Sequence, residues 1–142
     1  LEEPDGWIED KLNSCLVLSC CYQAMGENAA AFDILFYSFT MDVPRAEICC
    51  EIGRLFMEKR EYVTAAYWYQ QALLAPRKKK NGGFYIADSH DFIPAIQMCV
   101  CLDKAGRHRE AFEFHKKARV LKPLHQAVIG NEKYFRDVWG ME

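Results

Sequence analysis

Residues 46–76 constrain the fold of this 142-residue chain more than any other stretch. The first half places Cys49, Ile52 and Phe56 on one side of a helix, because they follow the i, i+3, i+7 spacing of an amphipathic helix. The second half shows the same kind of spacing in Ala65, Tyr69, Ala72 and Leu73. A short polar turn separates the halves, and Pro76 cannot continue a helix. The stretch therefore predicts a hairpin of two helices that approach closely at their small residues, Gly53 and Ala65.

Residues of matching size stand at fixed places in a unit of 34 residues. Counted from Ala46, the hairpin resembles a tetratricopeptide repeat at six places, namely Ile52, Gly53, Phe56, Ala65, Tyr69 and Ala72. Weaker copies of the pattern begin at Leu12 and Phe92. We therefore expect repeats over about residues 12–45, 46–79 and 92–125, with an inserted loop over 77–91.

This resemblance implies an all-α fold, a tetratricopeptide-like right-handed superhelix of three helical hairpins plus a C-terminal capping helix. The cap is predicted over residues 124–135, because a repeat array needs a terminal element to cover its last hairpin. We expect a single helical-repeat domain over residues 1–142. Because the chain begins with Leu1 and not with Met, we also expect it to be a piece of a longer protein.

Composition narrows the classes of function. Half of the residues are hydrophobic (51%) and the formal net charge is −2, which favours a globular protein without a nucleic-acid or membrane-surface partner. No apolar run reaches the roughly 18 residues that a membrane span needs. The seven cysteines have no paired C-x-x-C spacing, so we expect reduced, mostly buried thiols in a cytoplasmic protein.

Several local strings are more specific than the repeat pattern. They are PRAEICC at 44–50, the segment 83–94, CVCLD at 99–103, Lys122-Pro123 and NEKYF at 131–135. Together they resemble the helical region that follows the catalytic domain in bacterial family-2 glycosyltransferases, over roughly residues 35–135. The resemblance implies a parent enzyme that uses a nucleotide sugar and a divalent metal. This chain would be its non-catalytic C-terminal module, for protein interaction or oligomerisation.

The Asp-x-Asp metal motif of such enzymes is absent from this sequence, because Asp88 and Asp91 have two residues between them. We therefore predict no catalytic residue, no metal ligand and no cofactor site in the chain itself. The histidines other than His90 are isolated in sequence, and we expect them to be surface or packing residues.

The repeat resemblance also implies a concave face lined by the first helix of each hairpin. The residues at its inward-facing places are Asn13, Leu16, Cys20, Gln23, Glu47, Cys50, Arg54, Met57, Ile93, Ile96, Val100, Asp103 and Lys104. We expect this face to bind protein, either the upstream catalytic domain or a second copy. A homodimer is predicted through the concave or N-terminal surface, where Leu16, Val17 and Cys20 have no charge among them.

The inserted loop supplies an alternative site. Its basic and aromatic side chains suit a sugar or acceptor of the parent enzyme, with Lys79, Phe84, Tyr85, Asp88 and His90 as candidates. The structural alternative is a solvated charge run with an aromatic anchor on a neighbouring helix. A third hypothesis is a stand-alone peptide-binding adaptor.

Overall fold

The computed structural model describes residues 4–77 and 85–142, and over these ranges the chain forms seven α-helices and no strand. The helices are α1 (Pro4–Ala24), α2 (Asn28–Tyr37), α3 (Ala46–Glu58), α4 (Tyr62–Leu74), α5 (Phe92–Lys104), α6 (His108–Leu121) and α7 (Gln126–Trp139). Short 3₁₀ turns cover Ser38–Thr40 and Ala87–His90. The prediction of an all-α fold is confirmed.

Three pairs of consecutive helices, α1–α2, α3–α4 and α5–α6, are joined by turns of one geometry. The residue at the fifteenth place of each repeat has a positive φ, 77° at Gly26, 60° at Arg60 and 84° at Gly106. The next amide donates to the carbonyl five residues earlier, from Glu27 to Tyr22, Glu61 to Phe56 and Arg107 to Leu102. Glycine takes this left-handed conformation without a steric penalty, whereas arginine does not. The local cost at Arg60 is therefore offset by the packing of the hairpin around it.

The central hairpin is held by a close contact between α3 and α4. The ring of Tyr69, which is 1% exposed, lies against Gly53. A Cβ atom at Gly53 would lie 2.8 Å from Cε2 of that ring, so only glycine fits this place without a shift. The contact explains why the smallest residue stands in the middle of a helix.

Two buried clusters join each hairpin to the next. Residues from α1, α2 and α3 form the first, which comprises Leu12, Ala31, Leu35, Ile48, Ile52 and Leu55. Residues from α3 to α7 form the second, and its large members include Tyr69, Met98, Leu102 and Phe135. Buried apolar area of this kind is the main source of stability in a repeat array.

An ion-pair network ties the first hairpin to the second. The guanidinium of Arg45 is buried and donates to Glu9 at 2.9 and 3.0 Å and to Asp42 at 2.7 and 3.2 Å. Burial disfavours the charged form, but the hydrogen bonds with Glu9 and Asp42 outweigh it and raise the pKa of Arg45. Arg45 therefore stays charged and fixes the approach of α1 to the start of α3.

The C-terminal helix α7 reaches Trp139 and is longer than the predicted cap over 124–135. It begins at Gln126, 34 residues after α5 begins, and Gly140 at its fifteenth place has a φ of 64°. Val128 and Phe135 are buried on the side that contacts α6. α7 thus begins at the place of the 34-residue unit where α5 begins, and a left-handed residue follows it at the same place as in the three hairpins. Both features are those of the first helix of a further unit.

None of these helices, over the described part of the chain, combines the length and apolar character needed to cross a membrane.

Candidate interaction surfaces

Two of the predicted concave-face residues meet in a polar bridge between α1 and α3. Gln23 donates to Glu51 at 2.9 Å and accepts from Arg54, which also donates to Glu51 at 2.6 Å and to Glu58. The hydrogen bonds with Glu51 raise the pKa of Arg54. Burial works the other way at Glu51, yet Arg54 and Gln23 lower the pKa of this carboxyl. Arg54 is thus committed to internal partners and is a poor candidate for a ligand carboxylate.

Three other predicted concave-face residues, Glu47, Cys50 and Ile96, are buried and do not line an open surface. The end of the inserted loop covers the first two. Oε2 of Glu47 accepts from the Ile86 amide at 2.7 Å and lies 3.2 Å from Nε2 of His90. The thiol of Cys50 donates to the Ser89 carbonyl at 3.4 Å. The repeat pattern alone does not include this segment, and for that reason it predicted these side chains to face outward.

The described part of the loop is engaged in internal contacts. The Tyr85 ring stacks on His90 with centroids 4.7 Å apart, and His90 is itself buried with Nδ1 lacking a partner in the described ranges. Asp88 points elsewhere and pairs with Lys122 at the end of α6, at 2.7 Å. Asp88 and His90 are therefore not brought to one site. Lys79 and Phe84, the other predicted loop-site residues, lie outside the described residues.

Asp103 belongs to a cluster where α5, α6 and α7 meet. One carboxylate oxygen accepts from the Tyr134 hydroxyl at 2.6 Å, and the other lies 2.6 Å from Nδ1 of His108. The hydrogen bond to Asp103 raises the pKa of Tyr134. Trp139 stacks on His108 with centroids 3.9 Å apart and donates to the Tyr134 hydroxyl. The cluster holds α7 against α5 and α6. The sequence did not predict it, because His108 and Trp139 lie 31 positions apart and belong to no short motif.

The remaining concave-face candidates differ in their exposure to solvent. Asn13, Cys20 and Lys104 are exposed, whereas Leu16, Met57, Ile93 and Val100 are half-buried. Leu16 packs against the cluster that joins the first two hairpins, so it is not the open apolar residue that the sequence analysis predicted. His115 is a packing residue, one of the two roles expected for it: it is fully buried and lies 2.6 Å from Glu132 of α7.

An uncovered apolar surface of the first hairpin is the outer face of α1. We define this outer face by Trp7, Ser14, Val17, Leu18, Cys21 and Met25. The exposed fractions are 58% for Trp7, 53% for Val17, 44% for Leu18 and 65% for Met25. From residue 12 to its end at residue 24 the helix has no charged residue, and a cation beside this face is Lys11, whose ammonium lies 4.7 Å from the centre of the Trp7 ring. Such a surface is unusual for an exposed helix, which normally has charged side chains facing the solvent.

The same face is covered on the two later first helices. This face is formed by the third, seventh and tenth places of the unit, and all of them are buried on α3 and on α5. They are Ile48, Ile52 and Leu55 on α3, and Pro94, Met98 and Cys101 on α5. On α1 these places are Ser14, Leu18 and Cys21, and all three are exposed. A helix of the preceding hairpin covers this face on α3 and on α5, namely α2 and α4. The outer face of α1 thus has the register of a helix-binding surface, and no helix of the described residues covers it.

A second uncovered surface lies on α7. A groove of about 410 Å³, which we call the α7 groove, is lined by Arg119, Pro123, Val128, Ile129, Gly130, Glu132, Lys133 and Arg136. Ile129, Lys133 and Arg136 occupy the fourth, eighth and eleventh places of the unit. On α3 the same places, Cys49, Gly53 and Phe56, pack against the second helix of the hairpin. The groove is therefore the place where a second helix would lie.

All seven cysteines are free thiols, and five of them are buried. Burial raises the pKa of Cys49, Cys99 and Cys101 to about 12, and it also raises the pKa of Cys15 and Cys50. At pH 8 a thiol of that pKa is a thiolate in only about one molecule in 10⁴.

We expect dilute native protein to react rapidly with a thiol reagent at two positions, Cys20 and Cys21, since only these two are exposed. The other five should react only after unfolding. Intact-mass measurement during labelling with a maleimide checks this. A third fast adduct in the native protein would contradict the burial described above.

No protein-family model matches this chain, and no curated protein sequence matches it either. The glycosyltransferase resemblance of residues 35–135 therefore stays a prediction.

Proposed function

We propose that this chain is a non-catalytic helical-repeat module of the tetratricopeptide type, whose function is to bind another protein through the outer face of α1. One observation carries the proposal. Places that are buried under a neighbouring helix on α3 and α5 are exposed and uncharged on α1. An apolar helix face of this size commonly marks a protein interface.

The repeat geometry supports the tetratricopeptide comparison. The three turns have a left-handed residue at the same place of the unit, and α7 begins in the same phase. The parent in this proposal is a bacterial glycosyltransferase that uses a nucleotide sugar and a divalent metal, on the resemblance of the sequence alone. Within the described residues no group of three or more metal-ligating side chains comes together, so the metal would be bound elsewhere in that parent.

The described residues of the loop are a weaker candidate site. Asp88 is paired with Lys122, and His90 is buried against Glu47 and Tyr85, so these two side chains do not face a common surface.

Site-specific photo-cross-linking in cells that make the protein tests the proposed function. A benzophenone amino acid replaces Leu18, and the matched control replaces Leu74, an apolar residue at the end of α4 that is 68% exposed. We expect a discrete protein adduct from position 18 and none from position 74. Equal yields at the two positions, or no adduct from a folded variant at position 18, would refute the assignment of this face.

A further inference from the structure

We infer that the partner of the α1 outer face is a second copy of this chain, which docks head to tail and presents its α7 groove. This inference rests on the proposed function, because it names the occupant of the same face. It replaces the two-fold contact expected from the sequence with a heterologous contact between two different surfaces.

Over residues 4–77 and 85–142 the two surfaces are uncovered in complementary ways. No described helix lies on the outer face of α1 in the way that α2 and α4 lie on α3 and α5, and none lies in the α7 groove in the way that α4 lies on α3. One helix-to-helix contact between copies satisfies both. In a two-fold contact, the outer faces of α1 would cover each other and the α7 groove would stay open.

The charges of the two ends favour the head-to-tail arrangement. Residues 4–45, which include the first hairpin, have six acidic and two basic side chains, whereas residues 92–142 have six acidic and nine basic ones. At the α7 groove itself the cations are Arg119, Lys133 and Arg136. Arg119 pairs with Glu132, and the other two share Asp137, so the groove has one cation more than its acids. Unlike charges at the two ends guide association, whereas two acidic first hairpins would repel each other.

Gly130 is an independent observation on the α7 groove. It stands inside α7, where glycine costs up to about 1 kcal/mol relative to alanine. A Cβ atom there would meet nothing within 4 Å, so no contact within the described chain requires the glycine. Gly53, by contrast, is required by the ring of Tyr69. The missing side chain at Gly130 leaves room for the backbone of a partner helix to approach closely.

The decisive experiment mixes two variants, each with one end blocked. Leu18→Glu places a charge on the α1 outer face, and Ile129→Glu places one in the α7 groove; both positions are about half exposed in the monomer (44% and 54%). Light scattering should find the wild type forming species that grow with concentration, because a heterologous contact does not close. Each variant alone should be monomeric, with association weakened at least about 30-fold. Their equimolar mixture should form a one-to-one dimer, since each supplies the end that the other lacks.

Matched controls separate this result from general damage. Leu74→Glu and Val120→Glu introduce the same charge at exposed apolar sites outside the two surfaces, and both should assemble like the wild type. Gly130→Gln should weaken assembly while its melting temperature does not fall. Association should also weaken between about 50 mM and about 500 mM salt, since opposite charges contribute to the contact.

Adjacent thiols give a measurement that needs no variant. Cys21 lies on the α1 outer face, whereas Cys20 points about 100° away from it. As the protein concentration rises, labelling of Cys21 should slow relative to labelling of Cys20. Equal rates at all concentrations would contradict the predicted interface.

Two outcomes would overturn the inference. A wild type that stays monomeric at the highest concentration would rule out self-association. A dimer that Leu18→Glu abolishes, that Ile129→Glu leaves intact and that mixing does not restore would establish a two-fold contact instead. In either case a cross-link from position 18 to a different protein would leave the proposed function standing, so the two failures are distinguishable.

Discussion

Gly53→Leu is expected to destabilise the protein by more than about 3 kcal/mol. The reason is the distance of 2.8 Å between a Cβ atom at this position and Cε2 of Tyr69. Tyr69 is fully buried between α3 and the following hairpin, so its ring cannot move away without opening a second contact. Urea denaturation followed by circular dichroism measures the free energy of unfolding. A midpoint close to that of the wild type would mean that α3 and α4 do not meet at this residue.

Gly130→Ala is the matched control for this prediction. Both glycines lie within helices, but a Cβ atom at Gly130 meets nothing within 4 Å. Alanine there should leave stability unchanged or raise it by up to about 1 kcal/mol, because it favours the helical conformation. Opposite signs at the two positions would separate the steric contact at Gly53 from the general effect of replacing glycine in a helix.

Glu47→Leu is expected to cost about 1–3 kcal/mol, because it removes the acceptor of the part-buried Ile86 amide and the polar partner of the buried His90 ring. Glu47 accepts from the amide of Ile86 at 2.7 Å and lies 3.2 Å from Nε2 of His90. Leucine fills similar space but accepts no hydrogen bond. Loss of these contacts should also release the segment 85–90 from α3 and expose Cys50, whose thiol donates to Ser89. We therefore expect the unfolding free energy to fall and the labelling of Cys50 to accelerate.

Two controls test the cause of that effect. Glu47→Gln keeps one acceptor oxygen in place and should cost less than Glu47→Leu. Glu58→Leu changes an exposed acid at the end of the same helix, whose recorded partner is Arg54, and should cost less than about 1 kcal/mol. If Glu58→Leu cost as much as Glu47→Leu, the hydrogen bonds from the loop segment would not explain the loss.

The sequence predicted the all-α class because hydrophobic spacing repeats along each helix. Leu12, Cys49 and Ala111 are buried at the places where the period predicts core residues. Leu18 stands at the same place of the unit as the buried Ile52, yet it is 44% exposed. A repeat pattern predicts which residues can face a neighbour. It does not say whether a neighbour is there, and no helix of the described residues covers the outer face of α1.

The loop shows the opposite error. The sequence predicted that Glu47 and Cys50 face a concave surface, and it placed His90 among the candidates for a sugar or acceptor site. The structure brings these three residues together, because the segment that precedes α5 packs on α3. The string AEICC could have predicted that Glu47 has a partner from another segment, since an acidic side chain on a buried helix face needs one.

By itself the sequence determined where helices form, where they turn and which of their faces are apolar, because these depend on residues three to fifteen positions apart. Tertiary structure alone decided which apolar faces are covered. The stacking of consecutive hairpins buries Ile52 and Met98 but leaves Leu18 exposed. It also decided the partners of Glu47, Asp103 and His115, since each contact joins residues from different elements. The physical reason is that burial and hydrogen bonding are properties of the assembled neighbours, whereas helical periodicity is a property of the local chain.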